Sequence, residues 1–117
     1  MADAANRGAL AVILEDLRQR GGFKGRDVAN LVAVSPATVS RWSSGQAMPH
    51  PRTQLLIADL KYTVDRLAES YSPAETRLWL YSRHPLLDGK RPIDLIHESE
   101  TERVLSVIES LDASEYA

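Results

Sequence analysis

The chain has 117 residues, 44% of them hydrophobic and 26% charged, with a net charge of −2. That length suits one compact domain or a small domain with an appended module, and the balance excludes the low-hydrophobicity, high-charge signature of disorder. The lack of cysteine excludes disulfides and thiolate metal sites, and with no signal-peptide pattern over Met1–Ala11 and no apolar run near about 20 residues, the expectation is a cytoplasmic protein that does not cross a membrane.

The first predicted helix covers about Asn6 to Arg20, with Leu10, Ile13, Leu14 and Leu17 at helical spacing and a stop at Gly21-Gly22. A short helix over about Gly25 to Val32 comes next, then a tight turn, then a second short helix with Ser35 as N-cap and Pro36 as first residue. Gly45 closes it. Pro51 opens a long helix to about Tyr71, along which Leu56, Leu60, Val64, Leu67 and Tyr71 recur every three or four residues. Leu55, Ile57 and Tyr62 widen its apolar surface, so more than one neighbour must cover it.

Ser72-Pro73-Ala74-Glu75 starts another helix through a capping box, and a module boundary is placed there, dividing the chain into residues 1–71 and 72–117. This helix carries Leu78, Trp79 and Leu80 and must end before Pro85. Asp88-Gly89 reads as a turn and Pro92 as the start of a further short helix. The last helix is predicted to begin at Ser99, boxed with Glu102, and to present Val104, Val107, Ile108 and Leu111 on one face. No segment alternates as a strand does. The fold class is therefore all-α: an N-terminal helix-turn-helix bundle, a long connecting helix and a small C-terminal helical module.

Charge is divided along the chain. Between Arg18 and Arg52 six basic residues face Asp27 alone, a net +5, whereas from Pro92 onward seven acids face Arg103 alone, a net −6. The first stretch suits a phosphate-facing surface and the second excludes DNA as its partner. Residues 25–44 also meet the needs of a helix-turn-helix: Val28, Val32, Val34, Val39 and Trp42 face inward, and Ala29 is the small residue at the helix crossing. Candidate DNA contacts are Ser35, Ala37, Thr38, Ser40 and Arg41 on or beside the recognition helix, with Thr38 and Arg41 foremost, and Lys24, Arg26 and Arg52 toward phosphates. One such unit grips weakly, so a homodimer on two half-sites, or a hetero-oligomer, is expected.

The run VAVSPATVSRWSSGQAMP resembles the Xre-type repressors, with Ala33 where that family usually has a turn glycine. The wording LWLYSRHPLLDGKRPIDLI resembles the toxin-binding domain of the Xre/MbcA/ParS-type antitoxins, in which Trp79, Pro85-Leu86-Leu87, Gly89 and Pro92-Ile93-Asp94-Leu95 are landmarks; Ser99 stands where glycine is common. This resemblance implies an antitoxin that binds a RES-domain, NAD-degrading toxin, blocks its active site, and represses its own operon at an operator. It implies toxin contacts from Trp79, Tyr81, Arg83, His84, Leu86, Leu87, Lys90 and Arg91, with Glu115, Tyr116 and Ala117 of the acidic tail as further contacts. Trp79 and Tyr81 can equally serve the module core, and the basic loop residues can simply be solvated.

The alternative is a stand-alone Xre-type transcription regulator whose C-terminal module dimerises or senses a ligand. No phosphate-binding glycine loop, paired-histidine motif or cysteine nucleophile is present, and His50, His84 and His97 share no helical face, so neither catalysis, a metal nor a cofactor is expected.

Overall fold

Proline sets where this chain turns helical. In a computed structural model that describes residues 2–116, and side chains from 8 to 112, Pro36, Pro51, Pro73 and Pro92 each occupy the first turn of a helix, where the missing N–H costs nothing. The helices are α1 (Ala2–Gly21), α2 (Gly25–Val32), α3 (Pro36–Ser43), α4 (Pro51–Ala68), α5 (Pro73–Tyr81), α6 (Pro92–His97) and α7 (Thr101–Tyr116), with one 3₁₀ turn at Pro85–Leu87. No strand forms among the described residues; His84 and Lys90 make an isolated antiparallel bridge around the Asp88-Gly89 turn. The all-α expectation holds.

Local chemistry explains most of the boundaries. The Ser72 hydroxyl accepts from the Glu75 N–H at 3.2 Å while the Glu75 carboxylate accepts from the Ser72 N–H at 2.9 Å, completing the capping box read from the sequence. The Gly21-Gly22 stop has two causes. Gly22 is left-handed (φ 65°), and a β-carbon on Gly21 would lie 3.0 Å from Val64 Cγ1.

The start of α7 differs from its reading. It begins at Thr101, and no Ser99–Glu102 box forms, because Ser99 adopts φ 63°. Ser99 instead ends α6: its N–H bonds Ile96 O at 3.0 Å and the Glu100 N–H bonds Leu95 O at 2.8 Å, a Schellman arrangement.

Helix α4 is the hub, burying Ile57, Leu60, Val64 and Leu67 and packing against α1, α2, α5, α6 and α7. Of the residues expected to widen its apolar surface and need that cover, Ile57 is buried, but Leu55 and Tyr62 are 67% and 55% exposed, because they lie on the face of α4 opposite its buried Ile57, Leu60, Val64 and Leu67. Leu80, Leu87, Leu95, Ile96 and Val104 join Leu17, Phe23, Leu60 and Val64 in one apolar cluster, so the core runs unbroken across residue 72.

Candidate nucleic-acid interface and partner surface

Helices α2 and α3 form the helix-turn-helix. Ala29, fully buried, lets them cross closely, while Val28, Val39 and Trp42 are buried beneath them. The turn depends on Ala33, whose left-handed backbone (φ 59°, ψ 47°) lets the Ala33 and Val34 N–H groups both bond Ala29 O. The Ser35 hydroxyl caps α3 by accepting from the Thr38 N–H at 3.2 Å.

The outer face of α3 presents Pro36, Ala37, Ser40 and Arg41 to solvent, with Thr38 half-buried. Ser35 Oγ, Thr38 Oγ1 and Arg41 Nη2 form a chain at 2.9 and 3.1 Å. Ser35 therefore acts first as a cap, and the Thr38 and Arg41 side chains are pre-oriented on one another. Lys24 and Arg26 at the start of α2, and Arg52 at the start of α4, are exposed.

Ion pairing redraws the charge map. Arg18 pairs with Glu15, and Arg20 pairs with Asp65 at 2.7 Å. Lys24, Arg26, Arg41, Arg52 and Arg83 make no salt bridge among the described residues, and all of these but Arg83 lie on or beside the helix-turn-helix. The acidic end is blunted in the same way. Asp94 pairs with Arg91, Glu98 with Lys90, Glu100 with Arg103 and Asp112 with Arg66, which leaves Glu102 and Glu109 unpaired among the described residues.

The single acid of the basic stretch, Asp27, has a side chain only 8% exposed. Arg77 of α5 grips it in a fork (2.8 and 3.0 Å), the Tyr81 hydroxyl donates to it at 3.2 Å, and the Lys24 N–H donates at 2.9 Å. Burial pushes the Asp27 carboxyl up, but these donors outweigh it and hold the group below the usual carboxylate range. Burial, then the neighbouring Asp27, raises Tyr81. The Tyr81 ring stacks on Phe23 with centroids 5.8 Å apart, and the Arg77 guanidinium lies 4.8 Å from the Tyr81 centroid.

The second surface lies on the other side of α5. Leu78 is 68% exposed and Leu86 69%, and a shallow groove of about 270 Å³ is lined by Tyr71, Glu75, Leu78, Trp79, Ser82 and His84. Trp79 and His84 pack with ring centroids 4.5 Å apart, and His84 Nε2 donates to Trp79 O at 2.9 Å. Arg83, Leu86 and Lys90 are exposed around it, with Arg83 donating to Gly89 O at 3.1 Å.

Three residues expected at this surface turn elsewhere. Leu87 is 1% exposed and belongs to the core, Tyr81 faces Phe23 and Asp27, and Arg91 is held in a fork by Asp94 at 2.8 Å. The side chains of Glu115 and Tyr116, and Ala117, lie outside the described residues. Exposed Leu78 was missed, although the period fixed by the Ser72 cap, with Thr76 and Leu80 buried, places it outward. The Asp27–Arg77 pair was missed as well, and no local signal announces a contact across fifty residues.

A helix-turn-helix domain family model matches residues 9–69. The chain is 31% identical over 102 residues to the mycobacterial cidal antitoxin MbcA of Mycobacterium tuberculosis, covering 87% of this chain and 90% of that protein, with the same figures for its Mycobacterium bovis counterpart. It also superposes on a chain of the crystal structure of the M. tuberculosis MbcT–MbcA toxin–antitoxin complex with a TM-score of 0.78 and 30% identity, covering 90% of this chain and 95% of that one.

Proposed function

Because the chain belongs to the family of the mycobacterial cidal antitoxins, helix-turn-helix proteins typified by MbcA, we propose that it neutralises a RES-domain, NAD-degrading toxin by covering its active site and represses its own operon through α2 and α3. The single observation that carries this reading is the likeness over nine-tenths of the chain to the antitoxin family, including a structure whose relative was captured with its toxin. Two separate faces suit two partners. Lys24, Arg26, Arg41 and Arg52, without carboxylate partners among the described residues, lie on or beside the helix-turn-helix, where duplex phosphates would lie, while Leu78 of α5 and Leu86 of the following 3₁₀ turn are exposed beside a partly buried Trp79 and offer an apolar face to a protein. A two-fold dimer would place two recognition helices on two half-sites.

Co-expression with the product of the adjacent reading frame tests the pairing. The expected outcome is copurification of the two chains, restored growth and preserved cellular NAD. A neighbour product that neither copurifies nor depletes NAD returns the chain to a stand-alone regulator whose C-terminal helices dimerise or sense a ligand.

A further inference from the structure

The Asp27 cluster joins parts of the chain that the proposed function assigns to different partners. Asp27 belongs to α2, the first helix of the helix-turn-helix, yet three of the four hydrogen bonds it accepts come from α5: two from Arg77 and one from Tyr81. Arg77 Nη1 also donates to Gly22 O at 3.2 Å, on the link between α1 and α2. At the far end of α2, His97 of α6 closes a second tie, its Nδ1 lying 2.6 Å from Leu31 O; a carbonyl can only accept, so Nδ1 carries the proton. An eight-residue helix held at both ends cannot slide or roll against α5 and α6 without breaking bonds, one set of them charge-assisted.

We infer that Arg77, Tyr81 and His97 are positioning residues for DNA binding, clamping α2 so that α3 meets the duplex in a fixed orientation and keeping the Asp27 charge silent beneath Lys24 and Arg26. Two physical effects work together. The first is geometric, because α3 is oriented by its packing on α2, and a recognition helix displaced by even a small amount loses its base-edge contacts. The second is electrostatic. Without Arg77 the Asp27 carboxylate becomes an uncompensated anion one residue from Arg26, opposing the duplex where the unpaired cations lie. The inference rests on the reading of α2 and α3 as the DNA-binding unit.

The test measures equilibrium binding to a duplex covering the intergenic DNA upstream of this chain's own reading frame, well below the melting temperature, as salt is varied. Arg77→Gln and Tyr81→Phe are compared with Arg66→Gln, which breaks a pair of similar separation in sequence, 46 positions against 50, that joins α4 to α7 and touches neither α2 nor α3. Arg77→Gln is expected to keep native helicity and weaken duplex binding about fivefold or more, with Tyr81→Phe losing about twofold and Arg66→Gln unchanged. Amide exchange should quicken in α2 and α3 of Arg77→Gln while α7 keeps its protection, a pattern that a general loss of stability does not produce.

Wild-type affinity in a natively helical Arg77→Gln overturns the clamp. If that variant does not fold, Tyr81→Phe decides, and unchanged affinity there overturns it equally. A wild-type chain that fails to retain the duplex at low salt removes the DNA-binding reading itself, and the clamp with it.

Discussion

Ala33 sits where the backbone must be left-handed, at φ 59° and ψ 47°, a conformation costing a residue with a β-carbon roughly 1–2 kcal/mol. Because the side chain is exposed and buries nothing, Ala33→Gly is expected to stabilise the chain by about 1 kcal/mol, read as a higher midpoint in urea unfolding. Asp27 makes the opposite kind of contribution. Its folded carboxyl is held below its ordinary value, so the unfolded chain binds the proton first as pH falls. The stabilisation is complete above the ordinary carboxylate value of about 4 and is lost as pH drops through the depressed folded value. Asp27→Asn should cost about 1–2 kcal/mol near neutrality, discounted for the partly exposed Arg77, and its deficit against the wild type should shrink on acidification below about pH 4. Urea midpoints of both proteins from neutral to acid pH check the sign.

Element by element, the starts of α3, α4, α5 and α6 obey Pro, Ser and capping-box rules, that of α7 departs from them because Ser99 is left-handed, and the helix faces obey tertiary demands. Helix α5 shows the difference. Its cap is written in Ser72 to Glu75, but only docking turns Arg77 and Tyr81 toward α2, leaves Leu78 exposed and packs Trp79 partly against the core. Helix α3 exposes few polar groups that could read bases, chiefly Thr38, Ser40 and Arg41. Arg41→Ala is expected to cost about 1–3 kcal/mol in duplex affinity and to relax sequence preference, whereas Lys24→Ala and Arg52→Ala each weaken binding uniformly across sequences and lower the salt slope by about 1. Gel shifts over a salt series separate the two behaviours.

The whole molecule is organised around α4, whose buried Ile57, Leu60, Val64 and Leu67 are shared by the helices before and after it. A core continuous across residue 72 means that cutting there exposes apolar surface on both pieces. Residues 1–71 alone are expected to unfold at a lower urea concentration than the full chain, and residues 72–117 alone to show no cooperative transition, as monitored by circular dichroism. Long-range charge is also decided at this scale. The separation of basic front from acidic rear shrinks once Arg20 meets Asp65 and Arg66 meets Asp112, and of the cations unpaired among the described residues all but Arg83 cluster around the helix-turn-helix.

The sequence by itself determined the all-α class, the helix-turn-helix and the proline starts, because each rests on residues within about four positions of one another, the reach of one helical turn. Only the tertiary structure decided which cations keep no carboxylate partner, that Leu87 and Tyr81 turn inward while Leu78 turns out, and that Asp27 is held from α5. Those outcomes depend on pairs such as Asp27 with Arg77 and Leu31 with His97, separated by 50 and 66 positions. No periodicity records such a meeting, since it comes from how α5 and α6 dock on α2 and α4 to bury their shared apolar faces.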